Sequence, residues 1–118
     1  MLLKIIYIDD ESALCENFKD LYSSEDVEVE TFTNTESAIE KIQESPPDVL
    51  FIDYRLPGTT GEQVATVLNL DIPIVLVTGE LEVKTTYPFY RIIQKSVDYE
   101  EVSRTIAGFL KQRRSKVA

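Results

Sequence analysis

The chain has 118 residues, 43% hydrophobic and 28% charged, the proportions of a globular domain large enough to bury a core. Twelve basic against 21 acidic residues leave a net charge of −9, which repels a phosphate backbone and argues against direct nucleic-acid binding. Histidine is absent and Cys15 is the only cysteine, so serine–histidine triads, His-ligated zinc and internal disulfides are excluded, leaving carboxylate, hydroxyl and lysine chemistry.

The first residues, MLLKIIYI, run straight into an acidic pair, without the basic segment or cleavage site of a signal peptide. No apolar run is long enough to cross a bilayer, so no membrane association is expected, and a reducing cytoplasm is the expected location.

Leu2 to Ile8 reads as a buried strand, broken only by Lys4. Glu11 to Tyr22 carries Leu14, Phe18, Leu21 and Tyr22 at helical spacing, with Cys15 as a small core residue. Val27 to Phe32 alternates acidic and apolar residues, as an edge strand does. Asn34 or Thr35 then caps a second helix through Ile39 and Ile42, which Pro46-Pro47 stops.

Val49 to Ile52 is apolar throughout and delivers Asp53 to a strand end, before turns through Leu56-Pro57-Gly58 and Gly61. A third helix over 60–70 presents Val64, Val67 and Leu68. Ile72 to Val77 makes a fourth strand and Arg91 to Gln94 a fifth, and a last helix over 98–114 carries Val102, Ile106, Phe109 and Leu110. Its basic end (Lys111, Arg113, Arg114) suits the negative end of the helix dipole. Five strands alternating with about five helices predict an α/β fold, a doubly wound parallel sheet with right-handed crossovers, in one domain over 1–118.

Polar residues fall where such a sheet places its chemistry, beyond the carboxyl ends of the strands. Asp9 and Asp10 follow the first strand, Asp53 ends the third, Thr78 follows the fourth and Lys95 the fifth. Singly, each has a bland reading as a helix cap, a turn residue or a solvated lysine. With the strands ordered 2-1-3-4-5, all of them meet on one rim. Three crowded carboxylates need a cation, and oxygen-only donors favour a hard ion such as Mg²⁺. A carboxylate beside a metal, a lysine and a hydroxyl is a site for an incoming phosphoryl group, forming an aspartyl phosphate.

YIDDE, LFIDYRLPGTTG, VLVTG and IIQK, in that order, resemble the motifs of the receiver domain of two-component response regulators, over essentially the whole chain. The resemblance supplies the flavodoxin-like strand order 2-1-3-4-5, for which a receiver is one of the standard examples. It implies Asp53 as phosphoacceptor, Thr78 and Lys95 as its catalytic partners, and Mg²⁺ held by Asp10, Asp9, Asp53 and the Arg55 carbonyl. It implies Gly79 as a small residue that lets the phosphoryl group approach. It also implies a sensor histidine kinase or histidine phosphotransfer protein as donor, and a downstream protein or a C-terminal output domain as target. Receivers catalyse only their own phosphotransfer and dephosphorylation, so no enzyme acting on a separate substrate is expected.

Three departures stand out. Ile92 occupies the position of the usual switch aromatic, three residues before the lysine, and Tyr90 is not expected to replace it. The stretch between Thr78 and Lys95 is short, and its β-branched residues and Pro88 predict a shortened or irregular fourth helix. Ser96 follows Lys95 where the family has a proline with a cis peptide, and a cis bond before serine costs about 2.5–4 kcal/mol. Arg55 and Glu80 are expected to pair across the mouth of the site. The alternative function is a receiver-like binding module that acts largely independently of phosphorylation. A phosphohydrolase with an aspartyl-phosphate intermediate is disfavoured, because Arg55 stands where a second aspartate is expected.

Overall fold

The computed structural model describes residues 2–80, 82–95 and 99–117, with Tyr99 and 114–117 described by backbone alone. Among the described residues, seven strands and four helices follow one another: β1 (Leu3–Ile8), α1 (Ser12–Tyr22), β2 (Val27–Phe32), α2 (Thr35–Glu44), β3 (Val49–Asp53), β4 (Arg55–Leu56), β5 (Thr59–Thr60), α3 (Gly61–Leu68), β6 (Ile74–Thr78), β7 (Arg91–Gln94) and α4 (Tyr99–Val117). Five strands form one parallel sheet in the order β2-β1-β3-β6-β7, while β4 and β5 make a small antiparallel pair. Counting only the five sheet strands, this is the expected 2-1-3-4-5 order, with β2 at an edge.

The sheet is buried on both faces because its strands alternate between two cores. Odd residues such as Ile5, Tyr7, Phe51, Val75 and Ile93 pack with Cys15 and Phe18 of α1 and Val102, Ile106 and Phe109 of α4. Even residues such as Ile6, Ile8, Leu50, Ile52 and Leu76 pack with Ala38 and Ile42 of α2 and Val64, Ala65 and Leu68 of α3.

Local chemistry sets the boundaries. The Asn34 side chain accepts from the Ser37 amide to cap α2. Thr60 and Gln63 form a reciprocal capping box at the start of α3, and Asn69 closes that helix in the left-handed region at φ 48°. Arg113, near the end of α4, pairs with Asp48 at 2.9 Å and ties the helix back to the start of β3.

Several expectations need correction. Leu21 and Val67 are 53% and 68% exposed, because the buried stripes of α1 and α3 run through Cys15–Phe18 and Val64–Ala65–Leu68. The fourth strand begins at Ile74 and not Ile72, since Pro73 has no N–H to give the ladder and contributes only its carbonyl, to Leu50. Asp98, the expected start of the last helix, lies outside the described residues. The expected irregularity of the fourth-helix region is borne out, for in the crossover from β6 to β7 the described residues 82–90 form no helical turn. They run as an extended strap in which Val83, Thr85, Tyr87 and Phe89 are half-buried and every intervening residue is exposed. Val83, Tyr87 and Phe89 cover the α3-side core.

Candidate functional site

Asp53 is the last residue of β3 and is buried, and Asp9, just beyond β1, has no exposed surface at all. Both have odd numbers, so they leave the sheet on the same face as Tyr7 below them. Lys95 follows β7 and is held by its amide, which donates to the Thr78 carbonyl at 2.8 Å. Its ammonium lies 2.8 Å from Asp9 Oδ2 and 3.0 Å from Asp53 Oδ2. Asp10 is exposed, and one carboxylate oxygen from each of Asp9, Asp10 and Asp53 falls within a 4.8 Å group.

Burial pushes the Asp53 carboxyl above the ordinary aspartate range, against the Lys95 hydrogen bond that lowers it and with the charges of Asp9 and Asp10 adding to the rise. For Lys95, burial disfavours the charge, but the bonds to Asp9 and Asp53 outweigh it and the ammonium is held above its usual value. Asp9 and Asp53 thus share the Lys95 ammonium, with Asp10 beside them. The cluster has oxygen donors only and one open member in Asp10, which fits a hard divalent cation such as Mg²⁺.

Thr78 ends β6, is 2% exposed, and accepts from the Glu80 amide at 3.0 Å, leaving its own hydrogen to donate. The Glu80 carbonyl in turn accepts from Gln94 Nε2 at 3.2 Å. The Glu80 carboxylate accepts from Arg55 Nε, so the expected ion pair forms. Arg55 also lies over the Tyr54 ring at 5.4 Å. Gly61 packs against β3 so closely that a Cβ there meets the Asp53 carbonyl oxygen at 2.5 Å, whereas a Cβ at Gly79 meets nothing within 4 Å.

Sequence reasoning missed Tyr7. Its hydroxyl donates to Asp9 Oδ2 at 2.5 Å while its ring stacks on Phe18 at 4.3 Å. The signal was available: a tyrosine in a buried strand needs a partner for its hydroxyl, and Asp9, two residues on, shares its face.

The family model for the response regulator receiver domain matches residues 5–106. The chain belongs to that family. Among curated relatives, the receiver is 32% identical over 87 residues to the phosphate regulon transcriptional regulatory protein PhoB of Rhizobium meliloti, covering 70% of this chain and 38% of PhoB. It is 29% identical over 84 residues to the DNA-binding response regulator MtrA of Mycobacterium tuberculosis, covering 70% and 37%. The chain therefore matches less than half the length of these relatives. Among solved structures, the N-terminal domain of a response regulator/sensory box/GGDEF protein of Carboxydothermus hydrogenoformans superposes with a TM-score of 0.82 at 21% identity, over 98% of this chain and 99% of that one. The response regulator TrrA of Thermotoga maritima, in complex with Mg²⁺-BeF, superposes with a TM-score of 0.80 at 24% identity, over 92% and 98%.

Within this receiver, the departures take structural form. Ile92 is 44% exposed beside the strap. Tyr90 packs on Phe109 of α4 at 4.8 Å. Ser96 lies outside the described residues.

Proposed function

We propose that the chain accepts a phosphoryl group on Asp53 from a phosphohistidine of a partner kinase or phosphotransfer protein, and signals by a change in the protein surface it offers. The observation that carries this is the Lys95 ammonium, set between Asp53 and Asp9 with Asp10 alongside. An Asp53 carboxylate oxygen attacks phosphorus. The new O–P bond forms as the donor P–N bond breaks, and the imidazole keeps the electron pair. Lys95 is close enough to transfer its contact from Asp9 to a phosphoryl oxygen, and the Thr78 hydroxyl has a hydrogen to donate to another.

Asp10, Asp9, Asp53 and the Arg55 carbonyl are the proposed holders of Mg²⁺, which when bound supplies positive charge against the phosphoryl oxygens. TrrA, which shares this fold, is found in complex with Mg²⁺-BeF, and that supports Mg²⁺ as the ion. We take residues 1–118 as one receiver domain, working in the cytoplasm, whose donor docks on α1 and the segment after Lys95. Its target is a downstream protein or an output domain outside this sequence.

A second reading is favoured by one observation, the exposed Ile92 beside a crossover without a helix. On that reading the chain is a binding module that acts without phosphorylation. Intact-mass analysis after incubation with acetyl phosphate, with and without Mg²⁺ and beside Asp53→Asn, separates the two. A Mg²⁺-dependent adduct of one phosphoryl group, lost in the variant, supports the first. A folded, Mg²⁺-binding protein with no adduct supports the second.

A further inference from the structure

Asp9 is wholly buried, and its two carboxylate oxygens are used unequally. Oδ1 accepts the Glu11 amide at 3.0 Å. Oδ2 accepts two side chains at once, the Tyr7 hydroxyl at 2.5 Å and the Lys95 ammonium at 2.8 Å. One of these partners is fixed and the other is movable. Tyr7 is 3% exposed and clamped by its stack on Phe18, and it lies on a central strand of the sheet. Lys95 is the first residue beyond edge strand β7, with a long stem and a side chain that is 21% exposed.

We infer that Tyr7 is a positioning residue that sets how readily Lys95 is released from Asp9, and through that how well the carboxylate cluster takes a divalent cation. The inference rests on the proposed receiver chemistry, in which Lys95 leaves Asp9 for the phosphoryl group. A buried carboxylate oxygen that loses its only partner bears a desolvation penalty, whereas one that keeps a second donor does not. With Tyr7 present, Asp9 Oδ2 remains hydrogen-bonded after the lysine departs. Without it, Lys95 is the sole side-chain partner of Oδ2, so its departure leaves that oxygen bare. The ammonium then competes more strongly with any cation for the same carboxylates. The phenol is neutral, so it satisfies Asp9 without adding charge to the site.

The test is Mg²⁺ affinity by calorimetric titration of wild type, Tyr7→Phe, Lys95→Met and the double variant. Tyr7→Phe keeps the ring and its stack, and a urea midpoint for each protein checks that it is folded. Tyr7→Phe is expected to weaken Mg²⁺ binding about five- to tenfold, the loss of one hydrogen bond. In the Lys95→Met background the same change is expected to leave Mg²⁺ affinity within about twofold, because the competing ammonium is gone. An unchanged affinity in Tyr7→Phe, equal weakening in both backgrounds, or a wild type that binds no Mg²⁺ overturns the inference. Phosphoryl uptake by intact mass is read separately. A wild type that binds Mg²⁺ with the expected Tyr7 dependence yet takes up no phosphoryl group defeats the proposed function and leaves the role of Tyr7 in metal binding standing.

Discussion

The Lys95 ammonium is held 2.8 Å from Asp9 Oδ2, a carboxylate with no exposed surface, and it is the same ammonium that reaches Asp53 at 3.0 Å. Lys95 is thus the internal counter-ion of the acidic cluster as well as its candidate catalytic cation. Removing one partner of a buried pair costs more than the pair itself contributes, because the remaining charge is left uncompensated. Lys95→Ala is therefore expected to lose about 3–5 kcal/mol of metal-free stability. Millimolar Mg²⁺ should restore part of this by binding the folded state alone. Urea unfolding with and without Mg²⁺ measures both effects; a variant as stable as wild type without metal contradicts the counter-ion role.

Asp53 gives the opposite sign. Its carboxyl is pushed up by burial first, so the folded protein binds its proton more tightly than the unfolded chain does. Stability from such a group is present below the ordinary aspartate pKa of about 3.9 and is lost as pH rises through the raised folded value. Metal-free Asp53→Asn escapes that loss. It is expected to match wild type in acid and to exceed it increasingly in Tm as pH rises toward neutrality. Thermal melts from acid to neutral pH decide this, and a gap that does not widen as pH rises rules out the titration of Asp53 as its source.

Gly61 and Gly79, one after β5 and one after β6, have opposite tolerance. A Cβ at Gly61 collides with the backbone oxygen of Asp53 at 2.5 Å and touches Leu76 Cδ1 at 3.0 Å, so either β3 or α3 has to shift. Gly61→Ala is expected to cost about 1–3 kcal/mol and to slow phosphoryl uptake, since the displaced atoms belong to the proposed acceptor, Asp53. Gly79→Ala meets open space and is expected to stay within about 0.5 kcal/mol of wild type. Equal stability of the two alanine variants in urea excludes the close approach as the reason for Gly61.

Much of this was legible because the relevant signals are local. The all-apolar run Val49–Ile52 revealed a two-faced strand and hence the address of Asp53, and opposite charges at Arg55 and Glu80 anticipated their pairing. The face of α3 was less legible, because Val67 is as apolar as Val64 and only the neighbouring layers decide which is covered. The strap was read as a shortened or irregular helix and not as an extended chain, although Val83, Thr85, Tyr87 and Phe89 already alternate with more polar or turn-forming residues at the period of an extended chain. The double use of Asp9 Oδ2 depends on three-dimensional distances that join β1 to the end of β7. The Tyr7–Asp9 half follows from a two-residue spacing on one strand face, but no spacing encodes the arrival of Lys95 on the same oxygen.

The strap has one side-chain tie to a helix that can be cut cleanly. The Thr85 hydroxyl donates to Glu62 on α3, and the same oxygen accepts the Tyr87 amide at 3.2 Å. Tyr87 and Phe89 then pack together at 4.7 Å over the even-residue core, and the Phe89 amide donates to the Tyr87 carbonyl at 2.9 Å. Thr85→Val keeps the shape and the β-branch but removes both hydrogen bonds at once. Glu62 is only half-buried and can turn to water, so the global cost is expected to stay near 1 kcal/mol. The local effect is larger in proportion, because an extended segment held by few bonds opens independently of the sheet. Amide exchange at Tyr87 and Phe89 is therefore expected to accelerate about fivefold or more in Thr85→Val, while the amides of β3 and β6 change only with global stability. Acceleration spread evenly over strap and sheet shows instead that the strap opens only when the whole domain does, and the Thr85–Glu62 tie then has no separate role.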